Sequence, residues 1–333
     1  MSLVPRWLLA LVRPIERLLA ANLRDSLDEN EVVVRTSRYL RLAMVCLVLG
    51  LAASLFFELN RVRNLDGRWC VLDSISAYYY TPVHAFFVGA LVSIGISLVA
   101  IRGNTALEDM LLNFAGVCAP FVALVPYDGV PTTCHPVLDS ANRDLNVANN
   151  VGALFVVAAA ALVALGVLAI LQLRSHQRPD PAGLISYFVV LVCYAAALVV
   201  FLTARGWFTA HLHTIAAVTM FALLAVNTLV NGYNLYHTRQ HQDPALQPLR
   251  RVVPRFNSYT AIGTLMVLAA VVIPIFLRPH WEQWIFGLEA TEIGLFAAFW
   301  VRQTIELWDE GLRPPPAAPA PVDRGLANAG SIG

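Results

Sequence analysis

Long runs of uncharged residues alternate with short charged segments along most of the chain. Eight runs stand out: Leu42 to Leu59, Val83 to Ile101, Met110 to Val125, Val147 to Leu171, Leu184 to Ala204, Thr209 to Tyr233, Tyr259 to Leu277 and Trp284 to Trp308. A hydrocarbon core about 30 Å thick is crossed by about 20 residues of helix, so each run predicts a spanning helix. The third run is short, and the eighth carries charge. Spanning strands would alternate apolar and polar positions in segments of about ten residues, which these Ala, Leu and Val runs do not. The expected fold is therefore all-α, a polytopic transmembrane helix bundle of about eight spans.

The arginines orient that bundle, because basic residues are retained on the cytoplasmic side. With the N-terminus inside, sixteen of the arginines fall on inner segments and six on outer ones, while Arg302 lies within the last span. An even number of spans with both termini cytoplasmic follows, and a multi-pass plasma membrane protein is the expected setting. Residues 1–38 read as a cytoplasmic amphipathic interfacial helix and linker. On a wheel of 100° per residue, Arg6, Arg13, Arg17 and Arg24 form a stripe about 40° wide opposite Leu8, Leu11, Ile15 and Leu19, suited to anionic headgroups or to packing on the protein itself. Residues 39–310 form the eight-span transmembrane domain, and residues 311–333 a disordered, cytoplasmic Pro/Ala-rich tail.

Composition agrees with this reading and excludes a soluble fold. The 333 residues are 58% hydrophobic and only 14% charged, whereas soluble domains carry roughly 25% charge. Every one of the 23 basic residues is Arg, which removes Schiff-base chemistry, Lys general bases and a Lys-dependent phosphate loop. No nucleic-acid partner is expected. The formal net charge of +1 divides into an inner face that is basic and an outer face that is acidic and carries most of the histidines.

The cysteines sort by position. Cys46, Cys118 and Cys193 lie in spans, whereas Cys70 and Cys134 lie in outer loops, where a disulfide between them would persist. Two unrelated thiols, one beside His135, are the other reading. Polar chemistry also gathers on the outer side. Ser74, Ser76, Thr81 and His84, from the segment D-S-I-S-A-Y-Y-Y-T-P-V-H, border an expected outward cavity, above a ridge of Ala85, Gly89, Ser93 and Ser97 suited to close helix packing. Glu289 and Glu292, three residues apart on the last span, are costly to place in lipid and point to the bundle interior or to shallow positions near water. His213, Asn227, Asn231 and Asn234 fall within about 60° on one helix face, with Ala217, Met220 and Leu224 between them. That stripe is either glue between helices or a conduction pathway. His211 points the opposite way.

Several segments carry a resemblance. SISAYYYTPVHAFFVGALVSIG, EDMLLNFAGVCAPFVALVP, HLHTIAAVTMF and LEATEIGLFAAFW resemble an uncharacterised family of bacterial polytopic membrane proteins, in which a Ser-x-Ser-x-Tyr-Tyr segment opens the second span. Matched residues here are Ser74, Ser76, Tyr78, Tyr79, His211 and Glu289; His84 departs from an Asp in that pattern. More remotely, the turn into the second span is similar to the Frag1/DRAM/Sfk1 membrane proteins, which implies a link to lipid remodelling.

Three functions compete. In the first, an outward polar cavity binds or remodels lipid headgroups, with Ser76, His84, His211 and Glu289 as catalytic candidates and His84, His213 and Asp73 as candidate ligands of a Zn ion. In the second, Glu292, Asn227, Asn231 and Asn234 join Glu289 in lining an ion or proton channel or transporter. The third is a non-catalytic scaffold. Membrane lipids are the expected partners, beside further copies of the chain or other membrane proteins. Whether the protein is an enzyme stays open at this level.

Overall fold

The computed structural model describes residues 29–128, 143–174, 181–240 and 256–308. Arg6, Arg13, Arg17 and Arg24, expected to meet anionic headgroups, the residues around Cys134 and the Pro/Ala-rich tail lie outside the described residues. Within them the fold is an all-α bundle whose eight helices match the eight expected spans. They are α1 (Glu29–Asp66), α2 (His84–Ala100), α3 (Ala106–Leu124), α4 (Arg143–Arg174), α5 (Pro181–Thr203), α6 (Arg205–Gln240), α7 (Ser258–Val272) and α8 (Trp284–Glu306). Seven are long and apolar enough to cross a membrane, α7 when continued through Leu277, and α2 is a shorter apolar helix of 17 residues.

Helix ends explain why several elements outrun their apolar runs. The α1 helix passes through residue 38 without a break and stops where Gly67 adopts φ +70° and donates its N–H to Arg63 O at 2.8 Å, a left-handed stop that suits glycine. Helix α3 starts at Ala106, four residues before its apolar run, because Thr105 caps it by accepting the Glu108 N–H. Asn257 caps α7 through bonds from the Tyr259 and Thr260 N–H groups. Helix α7 ends in a π turn over Ile273–Leu277, where Pro274 removes a backbone donor.

The helices run up and down, and the core follows from their faces. Met44, Leu98, Ala115, Leu224, Tyr259, Phe299 and Trp300 form the main buried cluster, joining α1, α2, α3, α6, α7 and α8. Phe155, Phe201 and Phe208 make a smaller one that docks α4 and α5 beside α3 and α6. Helices α4 and α5 otherwise turn exposed apolar faces outward, including Val156, Val163, Phe188 and Val192. Faces of this size are lipid-covered in a spanning protein and would not be tolerated in water.

Two sequence expectations change here. The α2 seam is not the Ala85, Gly89, Ser93, Ser97 ridge: Ala85 and Gly89 are exposed, with open space where a Gly89 Cβ would stand. The close approach to α3 is at Gly95, whose Cβ would lie 2.7 Å from Gly116 O, while a Gly116 Cβ would lie 2.7 Å from Gly95 O. Ser97 uses its hydroxyl on its own helix, donating to Ser93 O. The Cys70–Cys134 bridge also has to be restated. Among the described residues no disulfide joins two cysteines; Cys46, Cys118 and Cys193 are free. Cys70 is held in a disulfide whose other half lies outside the described residues, as Cys134 itself does.

Candidate functional site

The segment between α1 and α2 folds into a compact buried turn. Ser76–Tyr80 form a 3-10 helix, with Ala77, Tyr78 and Tyr80 buried alongside Ile75. The Tyr78 hydroxyl accepts the Leu72 N–H at 3.3 Å, and the Thr81 hydroxyl donates to Tyr78 O at 2.8 Å, so the turn is closed at both ends. Burial pushes the Tyr78 phenol up to about 12, which keeps it neutral. The turn is also sewn to the last helix, because Phe286 N–H donates to Asp73 O at 2.8 Å.

One turn into α8, Glu289 enters this segment. Its Oε2 accepts the Ser74 hydroxyl at 2.8 Å and the backbone N–H groups of Ile75 at 2.5 Å and Ser76 at 3.3 Å. Its Oε1 accepts the Ser76 hydroxyl at 2.8 Å. Four donors therefore converge on one carboxylate, and none of them is a cation. The S-I-S spacing provides this, since successive N–H groups in a tight turn point the same way and the flanking hydroxyls reach beside them.

Below the Glu289 cradle lies a partly open pocket of about 60 Å³. Val48 and Leu51 of α1, Phe87, Ala90, Leu91 and Ile94 of α2, Val122 of α3, Ala217, Met220, Phe221 and Leu224 of α6, and Ile293 and Phe296 of α8 form its walls. Ile75, Ser76 and Glu289 close one end. The walls are apolar, and Ser76 and Glu289 are the only polar side chains on them among the described residues. Ala217, Met220 and Leu224 are the apolar middle of the α6 stripe, so that interruption is a pocket wall.

Among the expected catalytic and metal-binding residues that are described, Ser76 and Glu289 are the pair joined by a hydrogen bond. His84 is half-buried, donates Nδ1 to Tyr79 O at 2.7 Å and packs edge-on against that tyrosine. His211 is exposed on the far side of α6, stacked on Trp207, with Nδ1 bonded to Trp207 O at 3.0 Å. His213 is buried and donates Nδ1 to Val125 O at 2.7 Å. Asp73 is exposed and accepts the Tyr127 hydroxyl at 3.4 Å. The expected zinc site of His84, His213 and Asp73 is thus withdrawn: among the described residues no three His, Cys, Asp or Glu side chains converge as ligands. His84 and His213 are each engaged on a backbone carbonyl, and Asp73 on the Tyr127 hydroxyl.

Tyr127 is the residue the sequence did not single out. Its ring packs edge-on against His213 at 5.9 Å, its carbonyl accepts the Tyr80 hydroxyl at 2.9 Å, and its own hydroxyl reaches Asp73. Burial, then the Asp73 carboxylate, push its phenol up to about 12. The only sequence signal was its place in a V-P-Y-D-G turn after the third span.

The rest of the polar stripe binds helices together. Gln303 of α8 donates to Asn231 Oδ1 at 3.1 Å, and Asn234 donates to Glu108 Oε1 at 2.6 Å. These bonds lie toward the bundle end opposite Glu289. Two members are left over: both carboxylate oxygens of Glu292, and both side-chain atoms of Asn227, are buried without a hydrogen-bond partner among the described residues.

No family model, no curated protein and no solved structure matches this chain. The likeness to bacterial polytopic proteins therefore rests on its short motifs alone. Fold and pocket together define a class: a multi-pass helical membrane protein with an apolar pocket inside the bundle that is polar at one end.

Proposed function

We propose that this protein binds a lipid-like amphipathic molecule inside the bundle. The apolar part would lie against Phe87, Ile94, Met220, Leu224 and Phe296, and the polar part would sit under Ser76 and Glu289. One observation carries this reading, the confinement of polar lining to a single end of an otherwise apolar pocket. The arrangement supports binding more than hydrolysis, because no histidine among the described hydrogen bonds reaches Ser76 or Glu289. The excess of arginine on the opposite segments supports an outward-facing polar end in the plasma membrane.

Extraction of the purified chain followed by mass spectrometry of retained lipid tests the reading. Ala217→Phe, which fills the pocket from the α6 wall, is expected to release a species the parent chain retains. Equal retention by both proteins would count against it. A second reading, an ion or proton pathway, draws on the unpaired buried atoms of Glu292 and Asn227. It requires flux in liposomes that Glu292→Gln suppresses.

A further inference from the structure

The hydrogen inventory at the closed end of the pocket goes beyond its shape. Two of the donors to Glu289, the Ile75 and Ser76 N–H groups, are backbone and can only donate. Glu289 Oε2 accepts three bonds and is filled, whereas Oε1 accepts one and keeps a free lone pair. Ser76 commits its only hydroxyl proton to that Oε1, so toward the pocket its oxygen can only accept. The Ile75 carbonyl is itself an acceptor, already bonded by the Tyr78 N–H. Among the described residues the polar end therefore offers acceptors and no donors.

We propose that this end selects its ligand by donated protons: the molecule carries a hydroxyl or amine head on an apolar chain, and a phosphate or carboxylate head is rejected. The inference rests on the pocket reading above. A phosphate entering here would meet a carboxylate with no Arg or His on the pocket wall to offset it, and in an apolar surround that repulsion is poorly screened. An alcohol or ammonium would instead find two acceptors that otherwise face an apolar space. An ammonium would gain further from the carboxylate's charge.

Four probes of one chain length separate the alternatives: dodecanol, dodecylamine, dodecyl phosphate and dodecanoate, added below their micellar concentrations to the full chain in phosphatidylcholine nanodiscs. Binding is read by native mass spectrometry and by the rise in Tm. Dodecanol and dodecylamine are expected to bind saturably, at least about tenfold tighter than the two anions, a difference of about 1.4 kcal/mol. Glu289→Gln should erase that preference while the chain still binds, because its amide donates to Ser76 and turns the hydroxyl proton toward the pocket. Should that variant fail to fold, Ser76→Ala keeps three of the four donors to Glu289, opens a second Oε1 lone pair and should raise the amine-to-phosphate ratio. A ratio unchanged or lowered in Ser76→Ala, or a phosphate that binds as tightly as the amine, overturns the head-group inference. Failure of all four probes, or binding that Ala217→Phe leaves intact, overturns the pocket reading itself.

Discussion

Glu289 and Glu292 share a helix, a residue type and nearly a face, yet they stand in opposite situations. Glu289 takes four hydrogen bonds from a turn 213 to 215 residues earlier in the chain. Glu292 is 4% exposed, and neither oxygen has a partner among the described residues. Removing the first carboxylate strands three buried donors, since the Ser76 N–H keeps its bond to Ser74 Oγ at 2.9 Å, so Glu289→Ala should destabilise the protein by about 3 kcal/mol or more, given roughly 1–3 kcal/mol for each buried group left unpaired. Removing the second relieves a buried polar group of its desolvation, so Glu292→Leu should stabilise by about 1–3 kcal/mol. Thermal unfolding in detergent measures both, and a lower Tm for Glu292→Leu would show that the carboxylate has a partner after all. The sequence showed the pair at i, i+3. It could not show which carboxylate meets Ser74 and Ser76, because that depends on a contact made only when α8 docks on the first loop.

Helix existence was legible throughout, since uncharged runs near the length of a bilayer admit little else, and all eight became helices. Azimuth was less legible. The Ala85, Gly89, Ser93, Ser97 ridge is a true i, i+4 pattern, but a pattern does not say which face meets a neighbour. The seam lies at Gly95, where the missing Cβ admits the Gly116 carbonyl. Two substitutions reverse the expectation from sequence. Gly89→Ala meets nothing within 4 Å and should be neutral or stabilise by up to about 1 kcal/mol, the ordinary helix gain over glycine. Gly95→Ala drives a methyl into backbone that has no rotamer to yield, and should cost about 1–3 kcal/mol. Denaturant or thermal melts of the two variants side by side check the order. The α6 stripe was read better: its polar members at Asn231 and Asn234 are glue between helices, and the apolar interval between them and His213 was the visible trace of a pocket wall.

At the scale of the whole molecule, the two ends of the bundle differ in kind. One end gathers Asp73, Tyr127, His213 and the Ser74–Glu289 cradle. The other holds Glu108 with Asn234, Arg302 with Ser258 and Glu306, and Arg38 over the Trp308 ring. Which end faces the cytoplasm decides whether the polar end of the pocket lies toward the outer or the inner leaflet. Retention of arginine predicts that the Glu108 end is inside, since sixteen arginines follow that side and six the other. Ala106, at the start of α3, and Gly206, in the first turn of α6, are exposed at opposite ends, and a Cβ at Gly206 meets nothing within 4 Å. Ala106→Cys and Gly206→Cys, treated with a membrane-impermeant maleimide and compared with the parent chain, report the two ends separately. On intact cells Gly206→Cys should label above the parent, while Ala106→Cys should label only after permeabilisation. The reverse pattern would turn the bundle over, place the Ser76–Glu289 end toward the cytoplasm and make the inner leaflet the source of any ligand that enters it.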